Sequence, residues 1–164
     1  MNNVYVGKIV NTHGIKGELR IKSDFEYKSK VFKIGNKLII RGQEYIIKSY
    51  RIHKEFDMVT FDGYNNINEI LNLKGLSVFV TRDTLELDKD DYLLSDLIDM
   101  EILLDDSVIG TVTDYTTGIN PLLCIKGIDK DFYIPLKGDF IDKVDKIDNK
   151  IIVNENVKGL MLWE

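Results

Sequence analysis

Short β-rich segments separated by turn residues set the strongest constraint on what this chain can fold into. In the first half they are Val4 to Val10, Glu18 to Ile21, Lys37 to Ile40, Tyr45 to Ser49, Met58 to Phe61 and Ser77 to Val80. In the second half they are Met100 to Leu104, Val108 to Tyr115, Leu122 to Lys126, Phe132 to Leu136, Ile141 to Val144 and Lys150 to Asn154. Branched and aromatic residues fit a pleated, half-buried surface, and many such runs at close spacing predict barrels or sandwiches. Arg41-Gly42-Gln43-Glu44 reads as a four-residue hairpin loop. Helical signals are few. Asn66 can cap a helix with Glu69 three residues on, Ile67, Ile70, Leu71 and Leu73 supply its apolar face, and Gly75 can end it. Such a helix would plug one end of a barrel. Leu93, Leu94, Leu97 and Ile98 have the spacing of one further helical turn.

A length of 164 residues fits one ordinary domain or two small ones. The charged stretch Arg82 to Asp91, with Leu85 and Leu87 inside it, reads as the seam. The expected division is a first domain at 1–82, a linker at 83–90 and a second domain at 91–164. Residues 1–82 carry 14 Lys/Arg against 8 Asp/Glu, or +6, and residues 83–164 carry 8 against 19, or −11. A basic half suits phosphate, whereas an acidic half repels it and suits a basic protein, although acidic surface also serves solubility alone. The apolar runs are too short to span a bilayer, and the N-terminus lacks the pattern of a signal peptide. One cysteine allows neither an internal disulfide nor a multi-cysteine zinc site. A cytoplasmic protein without membrane contact is expected.

The inventory offers little to catalysis. His13, His53 and Cys124 are the only histidines and cysteine, and Cys124 lies in an apolar strand where a buried, inert thiol is expected. No phosphate-binding glycine loop, nucleophile elbow or metalloprotease pattern occurs. The most distinctive segment is Gly7 to Arg20, in which Gly14 and Gly17 permit a tight turn between strands and display His13, Lys16 and Arg20. Together with Lys22 these are candidate RNA contacts; a barrel turn with incidental polar residues gives the same pattern. Gly14-Ile15-Lys16-Gly17 matches the backbone clamp of KH domains, but that module needs helices where this chain has strands. The basic stretch continues to Lys37 with Phe25, Tyr27 and Phe32 interleaved, as base-stacking surfaces and charged faces around core aromatics both do.

Val6-Gly7-Lys8-Ile9-Val10, His13 to Arg20, Ser23-Asp24-Phe25 and Leu73-Lys74-Gly75 together resemble the N-terminal half of RimM ribosome maturation factors. Asp91-Tyr92-Leu93-Leu94-Ser95-Asp96-Leu97-Ile98, Gly110 to Asp114, Gly118-Ile119-Asn120, Ile134-Pro135, Val144-Asp145 and Gly159-Leu160 resemble a PRC barrel. The resemblance implies a mainly β protein of two small β-barrels in tandem, a six-stranded translation-factor-like barrel followed by a PRC β-barrel. It further implies a non-catalytic, cofactor-free ribosome assembly factor that binds the head of the immature 30S subunit and supports 16S rRNA processing. Its implied partners are small-subunit ribosomal protein nineteen and nearby 16S rRNA, with no small-molecule substrate, and the chain is expected to be a monomer. In the family two adjacent aromatics open the PRC barrel and support partner binding; here they align with Tyr92 and Leu93, so the second is aliphatic. Pro121 stands where the family usually has Asp, and Gly118 serves the turn before it. A PRC-containing adaptor with no ribosomal role and an rRNA nuclease or modifying enzyme are the competing readings.

Overall fold

The computed structural model describes residues 3–161 and divides into two compact units, residues 1–91 and 92–164. The first unit is a closed barrel of β1 (Asn3–His13), β2 (Glu18–Lys22), β3 (Lys37–Ile40), β4 (Gln43–His53), β5 (Phe56–Phe61) and β6 (Ser77–Thr81). Their order around the barrel is β1-β2-β5-β4-β3-β6, so β6 returns to pair with β1. Two strands of 11 residues make closure possible. β1 pairs with β6 through Asn3 to Lys8 and with β2 through Lys8 to His13; β4 pairs with β3 through Gln43 to Ile46 and with β5 through Ile47 to His53. Each changes partner part-way along, and register shifts at Tyr5/Gly7, Ile9/Asn11 and Ile47/Ser49 bend it there.

Alternation fills the interior with Ile9, Leu19, Ile21, Leu38, Ile40, Ile47, Phe61, Val78 and Val80, all fully buried. A short helix, α1 (Lys28–Val31), which the sequence reading lacked, is pinned to the barrel by charge. Lys28 Nζ lies 2.7 Å from Asp57 Oδ2, and the Tyr50 hydroxyl donates to Asp57 Oδ1 at 2.6 Å. Asp57 is 1% exposed, so this pair of partners compensates its lost hydration. Burial, and then the hydrogen bond to Asp57, push the Tyr50 phenol well above its ordinary range.

Two expected local structures take other forms. The hairpin after β3 has a two-residue loop, because Gln43 already pairs with Ile40; Arg41 (φ 51°) and Gly42 (φ 75°) are both left-handed, which matches the twist of adjoining strands. The expected helix after Asn66 is two 3₁₀ turns, Ile67–Glu69 and Leu71–Leu73, broken at Ile70 (φ −126°, ψ 3°). Its predicted cap is present: Asn68 N donates to Asn66 Oδ1 and Asn66 N to Glu69 Oε1. Ile70 and Leu73 are buried while Leu71 faces solvent, so tertiary burial of alternate faces overrides an α-helical stripe too short to persist. The seam residues are built into the first unit: Arg82–Leu85 forms a 3₁₀ turn, Leu85 is fully buried, and Lys30 Nζ donates to the Glu86 carbonyl.

In the second unit β7 (Glu101–Leu104), β8 (Ser107–Tyr115), β9 (Leu122–Gly127), β10 (Phe132–Pro135), β11 (Ile141–Asp145) and β12 (Lys150–Val153) form one sheet in the order β10-β9-β8-β7-β12-β11. The β7–β12 pair is parallel and the others antiparallel. Among the described residues β10 and β11 are its edges, so hydrogen bonding does not close this sheet as it closes the first. Leu97, Ile102, Val112, Leu123, Ile134 and Ile151 form its core, sealed by α2 (Val157–Met161) through Val157 and by Leu136 and Phe140.

Candidate nucleic-acid interface

The turn from β1 to β2 builds one end of the barrel. Gly14 (φ 71°) and Gly17 (φ 91°) adopt left-handed backbone, and a Cβ on Gly17 would sit 3.3 Å from the Tyr64 carbonyl oxygen. Ile67 N donates to the Ile15 carbonyl at 3.0 Å, tying the turn to the capped segment after Asn66. Both glycines therefore serve geometry that a larger residue would strain.

This end gathers cations and rings. Arg20 Nη2 lies 3.1 Å from His13 Nδ1 and donates to it. The guanidinium of Arg20 also lies over the Phe56 ring at 5.1 Å, and the rings of His13 and His53 are 5.5 Å apart. Arg51 grips Glu18 with Nε at 2.9 Å and Nη2 at 2.7 Å, a bidentate contact that holds Glu18 below its ordinary value of 4.5. Partial desolvation, and then the charge of Arg51, push His53 below the usual histidine range. A groove of about 350 Å³ lies between His13, Gly14, Ile15, Lys16, Glu18 and Thr60. Such a surface offers donors and positive charge to phosphate, beside half-buried rings.

The structure brings His13, Lys16 and Arg20 together and sets Lys22 apart, beyond the β1 bulge and opposite Lys8. It adds Arg51, His53 and Phe56, which the sequence reading missed. They arrive because β5 lies between β2 and β4, so that Arg20 and Arg51 both pair with Met58 from opposite sides. No local signal announces that neighbourhood.

In the second unit Tyr92 is half-buried against the core, whereas Leu93 is only 2% exposed. Leu93 N donates to Asp96 Oδ2, which starts the 3₁₀ turn Leu94–Leu97. Gly118 (φ 104°) lies in the exposed β8–β9 loop, which Thr116 and Leu122 close by exchanging bonds of 2.8 and 2.9 Å. Cys124 is half-buried rather than fully buried, because its position in β9 faces away from the core; desolvation, then Asp114, raise its thiol, which disfavours the reactive thiolate.

The family model for the RimM N-terminal domain matches residues 4–85. Two curated relatives, each a ribosome maturation factor RimM, come from Staphylococcus aureus and Staphylococcus epidermidis; both are 40% identical over 166 residues, covering 96% of this chain and 98% of theirs. The chain belongs to the RimM family. Among solved structures, a Pseudomonas aeruginosa protein described as a 16S ribosomal RNA processing protein RimM covers 96% of this chain and 99% of its own, with 19% identity and a TM-score of 0.47. The N-terminal domain of RimM from Thermus thermophilus covers 52% of this chain and 95% of its own, with 21% identity and a TM-score of 0.45. Family membership rests on the sequence matches, and the N-terminal match separates this RimM chain from a bare PRC-type adaptor.

Proposed function

We propose that this RimM-family chain is a non-catalytic assembly factor that acts in the cytoplasm as a monomer. It binds the head of the immature 30S subunit through small-subunit ribosomal protein nineteen and nearby 16S rRNA, and supports processing of that rRNA. The convergence of Lys16, Arg20, Arg51 and two histidines at one barrel end carries the RNA part of this reading. Relatives named as ribosome maturation factors supply its setting. The acidic second unit, −7 over residues 92–164, supports a basic protein partner there, with Tyr92 as its aromatic contact and Leu93 beneath the surface. Residues 1–82 and 91–164 are the two working domains in this reading and 83–90 the segment between them, of which Leu85 is buried and the Glu86 carbonyl accepts from Lys30. No helix among the described residues is long and apolar enough to cross a membrane.

Cosedimentation tests the reading. The full chain is expected with small-subunit precursors and not with mature translating ribosomes. Replacing Lys16 and Arg20 by Glu should release it from precursors by tenfold or more, on the order of one charge-assisted contact each. Equal binding to precursor and mature subunits, or to neither, would refute the assignment.

A further inference from the structure

The outer wall of the first barrel carries a second cationic and aromatic patch, away from the turn between β1 and β2. Lys8 and Lys22 are directly opposed across β1 and β2, and both are exposed. Like charges directly opposite in a sheet repel. Among the described residues neither lysine lies within 4.0 Å of a carboxylate, and Lys8 is flanked on its other side by neutral Ser77 of β6. The backbone holds the pair close: a Cβ on Gly7 would sit 2.7 Å from the Lys22 carbonyl oxygen, and Ser23 Oγ donates to the Val6 carbonyl beside it. On the same wall, just past the bulge, Tyr5 is 54% exposed. Its ring meets Phe79 edge-on at 5.8 Å and 75°, which fixes the ring and leaves a face to solvent.

An uncompensated pair of cations beside a braced, exposed aromatic ring is the arrangement that receives a phosphate and stacks the base next to it. We propose that this wall binds unpaired nucleotides of RNA, with Tyr5 as the stacking platform and Lys8 and Lys22 sharing the adjacent phosphate. The inference rests on the reading of the chain as an rRNA-binding factor and extends it: Lys22 belongs to this second contact, not to the barrel end, and single strands are its substrate. A duplex hides its base faces, so Tyr5 has nothing to stack on there.

The test uses the full chain and a short fluorescein-labelled oligouridylate, with a matching RNA duplex as control, followed by anisotropy across a salt series. Tyr5→Ala should weaken oligouridylate binding about tenfold, Tyr5→Phe should retain it, and duplex binding should be unchanged by either. The double variant Lys8→Gln, Lys22→Gln should lower the slope of log affinity against log salt by about 0.7, the value for the one single-strand phosphate that the two lysines share. If these variants bind as the parent does while Lys16→Gln, Arg20→Gln loses binding, the wall is not a nucleotide site and the barrel-end reading stands. If the parent binds neither this RNA nor small-subunit precursors, both fall. Tighter, Tyr5-dependent binding of polyglutamate than of oligouridylate would replace RNA by an acidic protein segment and overturn the proposal.

Discussion

Among the described residues the two units have six strands each and end differently. In the first, β1 and β4 are long enough to serve one neighbour with each half, and bulges turn them between the two, so the sheet meets itself. In the second, β8 is the longest strand at 9 residues, β10 and β12 have only 4, and the sheet keeps two edges. Those edges carry charge or proline, with Asp142 and Lys143 in β11 and Pro135 ending β10, features that discourage pairing with other chains. Strand length and bulge placement, not strand number, decide closure. Charge differs as well. With the acidic seam counted where it folds, residues 1–91 carry 15 Lys/Arg against 13 Asp/Glu, or +2, and residues 92–164 carry 7 against 14, or −7. The asymmetry survives at the second unit and shrinks at the first, so the RNA contact proposed there rests on local clusters and not on net charge.

The largest expected effect tests whether the open sheet stands independently of the barrel. A Cβ on Gly127 would sit 2.1 Å from the Lys130 carbonyl oxygen, with the Phe132 ring at 3.3 Å. Gly127→Val should cost the second unit about 3 kcal/mol or more, and hydrogen exchange read by peptide should show β8–β10 opening while β1–β6 stay protected. Loss of protection in both would mean that the units fold as one. A smaller effect probes the polar anchor that the barrel has within it. Asp57→Ala removes the shared partner of Lys28 and Tyr50 and should cost about 2 kcal/mol, confined to the first unit, a value reduced because Lys28 reaches solvent. Unchanged exchange in α1 and β5 would show that the anchor contributes nothing.

The smallest is Glu18→Gln, at about 3 °C in the melting temperature of the first unit. Because folding lowers the Glu18 carboxyl below 4.5, its contribution is complete above that pH and disappears as pH falls through the lowered value. Parent and variant should differ at neutral pH and converge in acid. A difference of the same size at both would assign it to packing instead of the contact with Arg51.

Much of this was legible along the chain. Alternation located all twelve strands to within a few residues, the Asn66–Glu69 cap was readable from its spacing, and Gly14 and Gly17 marked a left-handed turn that the backbone does adopt. These are local properties, set by the pleat, by capping and by φ. The helix after Asn66 was not legible, because burial of Ile70 and Leu73 with exposure of Leu71 depends on what lies beneath them. The candidate site was half legible for the same reason: His13, Lys16 and Arg20 are close in sequence, whereas Arg51, His53 and Phe56 reach them only across the β2–β5–β4 order.

The sequence by itself determined the strands, the turn that displays Lys16 and the family to which the chain belongs, since each depends on neighbours a few residues away or on the whole string. Tertiary structure alone decided which strands adjoin. Long-range pairing placed Lys22 against Lys8 instead of beside Arg20, closed one sheet and left the other open.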